Sequence, residues 1–393
     1  MSGTLPLTYQ LANVNNRFNT STYKFTVQTG DEGYYYIEVC AGIQAATPAV
    51  VGVQGGTSKI GFVWWSRINN NVDSGCRSAI VSLTAGDTLS LSLDVGAVYS
   101  DSNVQTSFSA FSLQDVLTPE AYGATIFAKT SQPASNSANI LFNSTTVDTK
   151  QYNSTTGTYI CPTSGVYFFS FSLGISSGQQ VDVKLTGANL TVGLKTNMGI
   201  SNTTTVARSA LVGCQSGSSV SVTVTGGVPA YVYADGAGYS LNSFTAFSYA
   251  PRTVTPAVWA VYASNAPASS AAAVDPLPFD IVHINPNGLF DAANNTVTIQ
   301  SSGYYYVYIS SGEFGNAPGV LSLRKTSDQL TTTLFNVDHR ATSYRGGVTL
   351  GHGAVVQLTA GDQLKVVGEA NSSFYSNSLH YLLSFFGFLL VSA

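Results

Sequence analysis

The sequence predicts an all-β protein made of three tandem jelly-roll β-sandwiches, and three observations carry that prediction. A glycine followed by alternating aromatic and small residues recurs at Gly33-Tyr34-Tyr35-Tyr36, Gly165-Val166-Tyr167-Phe168 and Gly303-Tyr304-Tyr305-Tyr306, with anchors about 130–140 residues apart. Charged residues make up 9% of the chain, against a usual quarter, and Gly, Ser, Thr, Asn, Val and Tyr fill the gap. That composition favours strands and turns over helices. Apolar residues alternate with polar ones in short runs bounded by Gly/Asn/Ser turns, and no run has the period of a helix of normal length. About eight short strands per copy argue for two packed sheets.

Copy one is expected over residues 1–115, with strands at Leu5–Leu11, Tyr23–Val27, Tyr34–Ala41, Val50–Val53, Gly61–Trp65, Ser78–Leu83, Thr88–Leu93 and Thr106–Leu113. Pro119 marks the linker that follows. Copy two covers 120–250: Tyr122–Lys129, Ile140–Phe142, Thr158–Cys161, Val166–Leu173, Val181–Leu185, Ser209–Val212, Val220–Val224 and Ser243–Tyr249. Copy three covers 256–393: Val258–Ala263, Phe279–Ile284, Val297–Gln300, Tyr304–Ser310, Gly319–Leu323, Val348–Leu358, Gln363–Val367 and Tyr381–Val391. The turns Thr84-Ala85-Gly86-Asp87 and Thr359-Ala360-Gly361-Asp362 repeat, and so do closing strands containing Phe108/Phe111, Phe244/Phe247 and Phe385/Phe388.

The four cysteines fall two in copy one (Cys40, Cys76) and two in copy two (Cys161, Cys214). That parity suggests one disulfide in each, and an oxidising, extracellular setting; four buried thiols are the alternative. N-x-S/T sequons at Asn19, Asn143, Asn153, Asn189, Asn202, Asn294 and Asn371 point the same way, although a Ser/Thr/Asn-rich chain also makes them by chance. No signal peptide is read ahead of Leu5. The net charge of −4 offers no basic face for nucleic acid. The most apolar run, Leu379–Val391, is too short for a membrane span and reads as a last buried strand.

Tyr152, Ser154-Thr-Thr-Gly157-Thr-Tyr159, Cys161-Pro162 and Gly165-Val-Tyr167-Phe168-Phe169 resemble the signature of the complement component 1q globular head. So do Leu358-Thr-Ala-Gly361-Asp362 and the terminal Phe385-Phe386-Gly387-Phe388-Leu389-Leu390. The resemblance covers nearly the whole chain as three copies. It implies the jelly roll shared with tumour necrosis factor ligands, trimerisation through an aromatic face, and an extracellular binding or structural role without a catalytic centre. Two departures stand out. There is no Gly-X-Y stem. Matching Val27 to Ile299 and Phe18 to Phe290 puts Leu7 opposite Phe279, so copy one has no counterpart of the upstream strands Tyr122–Lys129 and Val258–Ala263. A trimmed start or a shorter sandwich explains this, and so does a groove filled by a neighbour's strand. Leu5, Leu7, Tyr9, Leu11, Tyr34 and Tyr36 are the residues expected to take part in such assembly.

Chemical sites are scarce. His283, His339, His352 and His380 lack metal-ligand spacing and read as surface or turn residues. Some members of the resembled family bind calcium through carboxylates. Here Asp31, Glu32, Asp73, Asp87, Asp235 and Asp338 make no D-x-D-x-D loop, and Asp87 and Asp362 read as turn residues. The Gly52–Gly61 stretch has no phosphate-loop order, and no serine sits in a nucleophile elbow. Tyr34–Tyr36, Trp64-Trp65 and Tyr304–Tyr308 read as core or interface ahead of sugar platforms. The expected function is a non-enzymatic extracellular structural protein that assembles with copies of itself, by strand donation into copy one. The alternatives are a lectin-like or pattern-recognition protein that binds glycans, folded as a pseudo-trimer, and a viral or phage surface protein, for which disulfides and used sequons argue against a phage. Beads on a line and a closed pseudo-trimer both fit the sequence.

Overall fold

The structure is a computed structural model. It describes residues 3–4, 6–7, 11–13, 16–43, 50–55, 58–60, 73–95, 98–99, 106–114, 125–128, 132–134, 138–147, 151–175, 180–187, 192–197, 204–225, 230–232, 242–249, 257–267, 271–314, 319–339, 347–374, 376 and 381–392. Regular structure among them is all strand apart from single short turns.

Copy one contains β1 (Gly3–Thr4), β2 (Phe18–Asn19), β3 (Lys24–Thr26), β4 (Gly33–Ile43), β5 (Val50–Gly55), β6 (Ser58–Ile60), β7 (Asp73–Leu83), β8 (Thr88–Val95), β9 (Val98–Tyr99) and β10 (Ser107–Ser112). Copy two contains β11 (Thr125–Ala128), β12 (Gln132–Ala134), β13 (Ala138–Asn139), β14 (Ser144–Val147), β15 (Tyr152–Asn153), β16 (Thr158–Ile160), β17 (Gly165–Ile175), β18 (Gln180–Thr186), β19 (Val192–Asn197), β20 (Thr204–Cys214), β21 (Ser219–Thr225), β22 (Ala230–Val232) and β23 (Asn242–Tyr249). Copy three contains β24 (Val258–Ala263), β25 (Ile281–Ile284), β26 (Phe290–Asp291), β27 (Thr296–Thr298), β28 (Gly303–Phe314), β29 (Gly319–Ser327), β30 (Leu330–His339), β31 (Gly347–Leu358), β32 (Gln363–Gly368) and β33 (Leu383–Ser392).

Each copy is two antiparallel sheets. The inner sheet of copy three runs β25-β24-β33-β28-β31, and the outer one runs β26-β27-β32-β29-β30. Copy two repeats the inner order as β14-β11-β23-β17-β20, and copy one shows β10-β4-β7. Alternation along the long central strand decides which core each residue joins. Tyr35, Ile37 and Val39 face the sandwich interior of copy one, while Tyr36 belongs to a different cluster. That second cluster draws on all three copies: Tyr36 and Phe111, Phe168 and Phe247, Tyr306 and Phe388. The chain therefore closes on itself as a pseudo-trimer around an aromatic axis, which selects the ring over beads on a line.

The repeated turns have the same internal wiring. Asp87 Oδ2 accepts from Thr84 N at 2.7 Å and Asp362 Oδ2 from Thr359 N at 2.9 Å. Gly86 and Gly361 take φ of +86° and +96°, which a β-carbon disfavours. Val27 N–H donates to Asp87 O and Ile299 N–H to Asp362 O, both at 2.9 Å, so these residues are structural equivalents. Two strand expectations are corrected. Leu7 and Leu11 lie outside strands, while Leu5 and Tyr9 lie outside the described residues. Ile140–Phe142 is irregular, with Ile140 N–H held by Val222 O at 2.8 Å. The expected strand Gly61–Trp65 also lies outside the described residues.

Candidate functional site

The axis is built from the fourth residue of each glycine-led strand. Tyr36, Phe168 and Tyr306 form a triangle of edge-to-face rings with centroids 5.2, 5.7 and 5.7 Å apart. Phe111, Phe247 and Phe388 back them at 5.0, 4.8 and 5.4 Å. Such pairs add about 0.5–1.5 kcal/mol each beyond the area they bury. Tyr36 is thus consumed inside the molecule and is not available to a neighbour, which corrects its assignment to assembly. Tyr34 packs half-buried against the same cluster.

Two residues further along each strand stand Glu38, Ser170 and Tyr308. Glu38 is buried; Tyr306 Oη donates to its Oε2 at 2.9 Å and Tyr36 Oη to its Oε1 at 3.4 Å. Burial pushes its carboxyl up to about 8, only partly offset by those two donors, so it is protonated at neutral pH. Burial is the main cause that raises both phenols as well, with the neighbouring Glu38 carboxyl second. Gly353 lies against this group because a β-carbon there would collide with Tyr306 Oη and Glu38 Oε2. Cys40 and Cys76 stand next to Glu38, joined as a disulfide; a second disulfide joins Cys161 to Cys214. With its sulfurs bonded to each other, the Glu38–Cys40–Cys76 cluster offers a metal one carboxyl group and no thiolate.

Three seams separate the copies, and equivalent residues close them. Arg77, Arg208 and His352 sit opposite Val39, Phe171 and Ile309 in the same register. Arg77 Nε donates to Ser172 Oγ of copy two at 2.9 Å. Arg208 reaches copy three, Nη1 to Leu382 O at 2.7 Å and Nη2 to Tyr381 O. His352 reaches copy one, Nε2 to Ser107 Oγ at 2.8 Å, while its Nδ1 meets Asn336 O at 2.9 Å. Burial lowers Arg77 to about 9, Arg208 to about 10 and His352 to about 4, the last against a smaller opposing effect of its bond to Asn336. The expectation of surface histidines is corrected. His352 is buried, and half-buried His283 accepts from Gly213 N–H of copy two at 3.2 Å. Their partners lie 245 and 70 residues away in sequence, which is why spacing concealed them. His380 and the side chain of His339 lie outside the described residues.

The seam between copies three and one differs from the others in one strand. In copy three, β24 pairs with β33 and carries β25 on its other side. In copy two, β11 does the same between β23 and β14. In copy one β10 is the counterpart of β33 and β23, and the described residues around Asn13 correspond to those around Asn285. Asn13 clasps Phe18 through two hydrogen bonds of 2.9 and 3.0 Å, and Asn285 clasps Phe290 with the same two lengths. Counting from that match, Leu11 takes the place of His283, and it packs against the core of copy three. Leu7 packs half-buried on the core of copy one. Among the described residues no strand lies between that segment and β10, and β10 pairs with β4 alone.

The backbone of β10 faces two ways. Leu113 N–H donates to Tyr34 O, which makes that pair hydrogen-bonded and fixes the alternation. Phe111 and Ser109 turn their polar backbone to β4, while Ala110 and Phe108 turn theirs away from it. Burial agrees: Phe244 is 1% exposed, Phe385 and Ala246 are 0% exposed, and the equivalent Phe108 and Ala110 are only half-buried. A strand edge with an apolar rim accepts an extended segment through backbone hydrogen bonds.

The remaining expected residues lie apart from this edge. Asn19, Asn143, Asn153, Asn294 and Asn371 are exposed, whereas Asn189 and Asn202 lie outside the described residues. Tyr35, Tyr36, Tyr305, Tyr306 and Tyr308 are buried, so they offer no sugar platform; Trp64 and Trp65 lie outside the described residues. Asp31 pairs with Arg17 at 2.5 Å, Asp235 lies outside the described residues, and no helix among those residues is long and apolar enough to cross a membrane.

The family model of the C1q domain matches three times, at residues 4–113, 122–247 and 260–390. A search of curated protein sequences gives no match. Among solved structures the chain is similar to the globular domain of zebrafish complement 1qA, at 17% identity and a TM-score of 0.28, over 33% of this chain and 99% of that one. It is also similar to murine APRIL at pH 8.5 (16% identity, TM-score 0.28, 34% and 98% covered) and at pH 5.0 (17%, 0.29, 34% and 98%).

Proposed function

The chain belongs to the C1q domain family, and from that premise we propose that it is a non-enzymatic, extracellular structural protein that assembles with copies of itself. C1q domains are mostly secreted or extracellular, commonly oligomerise, and are typically binding or structural modules. In this chain three copies already satisfy the trimer within one molecule, so further assembly must use another surface. The observation that carries the reading is the outer edge of β10, which has no strand beside it among the described residues although both equivalent edges are covered. A neighbour's strand entering there joins one closed head to the next. The exposed sequons fit a surface that is hydroxyl- and amide-rich and carries glycan. Mass spectrometry of secreted protein before and after glycosidase treatment reports which of the five are used.

The test is electron microscopy of the native material with light scattering across concentration. Filaments or regular oligomers support the reading; compact single particles at every concentration overturn it. A second reading has its own support. The closed ring is the form expected of a recognition head, with three non-identical outer faces held at fixed spacing. Retention of sugar on a glycan array, by single particles, would establish that role instead.

A further inference from the structure

One hairpin corner recurs in all three copies, and two of the three carry a chemistry that the third lacks. We infer that Asn19 and Asn153 are the N-glycosylated residues of this corner, and that its counterpart in copy three stays bare. The inference rests on the extracellular part of the reading above and not on self-assembly; for the choice of sites it rests on the geometry of the corners.

The corners are equivalent by register. Asn19 stands opposite Lys24, Asn153 opposite Thr158 and Asp291 opposite Thr296. The residue before each of those partners, Tyr23, Gly157 and Asn295, takes φ of +55°, +68° and +51°. The first side chain ties the turn in every case. Asn19 Oδ1 accepts from Ser21 N at 2.8 Å and Thr22 N at 3.1 Å. Asn153 Oδ1 accepts from Thr155 N at 2.9 Å and Thr156 N at 3.3 Å. Asp291 Oδ1 accepts from Ala293 N at 2.8 Å and Asn294 N at 3.4 Å. Only an acceptor oxygen is used, so a carboxylate ties the turn as an amide does. Ala293 shows that the residue two places on needs no hydroxyl. The amide nitrogens of Asn19 and Asn153, and the hydroxyls of Ser21 and Thr155, are therefore surplus to the turn. Together they make the N-x-S/T acceptor.

The geometry leaves that acceptor open. With Oδ1 occupied, Nδ2 is the free end of each asparagine, and it donates no hydrogen bond among the described residues. Residues 19–22 and 153–156 are exposed, so a bulky glycan displaces no packed side chain. The bond from Oδ1 to the amide two residues on is local, so the emerging chain samples it before the fold is complete. In the transfer, Nδ2 bonds to the anomeric carbon of a lipid-pyrophosphate-linked oligosaccharide. The bond from that carbon to the pyrophosphate oxygen breaks, the lipid pyrophosphate leaves with the electron pair, and Nδ2 gives one proton to a base of the transferase.

Copy three has a sequon at the same corner, set differently. Asn294-Asn295-Thr296 runs out of the turn into β27. Asn294 Nδ2 donates to Asp291 Oδ2 at 2.6 Å, and Asn295 Oδ1 accepts from Phe279 N at 2.8 Å. Half-buried Thr296 is paired with Asp291 in the ladder. The nitrogen that would carry sugar is thus spent on the turn, and the third residue of the sequon is held in a strand. Because the copies surround one axis, the two glycans stand at the same level on copies one and two and leave the corner of copy three open.

The test sends the full chain through the secretory pathway of cultured animal cells behind a cleavable signal peptide. Occupancy of each asparagine is read by mass spectrometry after glycosidase release in heavy-oxygen water, in cell lysate as well as medium, so a variant that folds poorly is still scored. Asn19 and Asn153 are expected to be occupied at least about tenfold more than Asn294. Asn19→Asp and Asn153→Asp should each remove one glycan and leave the melting temperature of the deglycosylated protein unchanged, as Asp291 foreshadows. Asp291→Asn combined with Ala293→Ser should add a glycan to copy three. Occupancy of Asn294 equal to that of Asn19 and Asn153, or no added glycan on the double variant, overturns the inference. The two readings fail separately. Glycan at Asn19 and Asn153 on the expressed chain, with native material found inside cells, upholds the sites and removes the extracellular reading; native protein that is secreted with both residues bare removes the sites and leaves the extracellular reading standing.

Discussion

The seam between copies two and three and the seam between copies three and one are the same interface built to different standards. The first has a permanent guanidinium across it, a covering strand and a tyrosine bonded to the opposite backbone. The second has an imidazole in place of the guanidinium, a carboxyl group in place of a serine or a phenol, and among the described residues no covering strand. The axial rings are continuous through both. Closure of the ring is therefore set at the axis, and what varies between seams is how each is sealed further out and how it responds to its surroundings.

The comparison breaks most directly at the closing strands. Phe385→Ala empties a fully buried site and is expected to cost about 3–5 kcal/mol, as is Phe244→Ala. Phe108→Ala removes the equivalent but half-buried ring and is expected to cost about 1–2 kcal/mol. Chemical denaturation of the three variants ranks them; equal losses would mean that β10 is covered like the others. Next in size is Arg208→Met, which leaves the carbonyls of Leu382 and Tyr381 without this donor and is expected to cost about 2–4 kcal/mol. His352→Asn, at the equivalent place, is expected to cost about 1 kcal/mol near neutral pH.

Protonation sharpens the contrast further. Burial raises the Glu38 carboxyl from 4.5 to about 8, so the folded chain keeps a proton that the unfolded chain gives up. That stabilisation is full below about pH 4.5 and is lost as pH rises through about 8, at roughly 1.4 kcal/mol per unit. Burial lowers His352 from 6.5 to about 4, so its contribution is present above 6.5 and is lost as pH falls through about 4. Melting temperature followed across this range should lose the decline between about pH 4.5 and 8 in Glu38→Gln and part of the acid decline in His352→Asn. A Glu38→Gln profile that matches wild type would place this carboxyl in contact with water. The smallest effects belong where the copies agree. Asn19, Asn153 and Asp291 each hold the amide two residues on, at 2.8, 2.9 and 2.8 Å. Alanine at any of the three is expected to cost about 0.5–1 kcal/mol, with no dependence on which seam is nearby.

Much of this was legible in the residues. The glycine-led strands, the repeated Thr-Ala-Gly-Asp turns and the paired phenylalanines give three copies, and matching Phe18 to Phe290 sets Leu7 opposite Phe279. The ring was not legible. Tyr35 and Tyr36 are neighbours of one chemical type, yet one fills a sandwich and the other the axis. Alternation separates the two faces of a strand but does not say what each face meets. Arg77 and Arg208 share a residue type with each other but not with His352, and the equivalence of the three shows only in the register of the strands. Glu38 did leave a signal: a lone carboxyl within Tyr34-Tyr35-Tyr36-Ile37-Glu38-Val39 is out of place on a buried strand, and that alone marks it for inspection.

The trio of Glu38, Ser170 and Tyr308 also bears on why the copies are fused. An assembly of identical subunits can place only threes on its symmetry axis: three carboxyls crowded into one dry space, or none. One continuous chain is free of that rule and sets a single acid at one of the three equivalent positions, held by Tyr36 and Tyr306, with a hydroxyl and a phenol at the other two. Fusion thereby turns a symmetric centre into one that can be edited a position at a time, and it fixes the ratio of the three unlike parts without any step of subunit sorting.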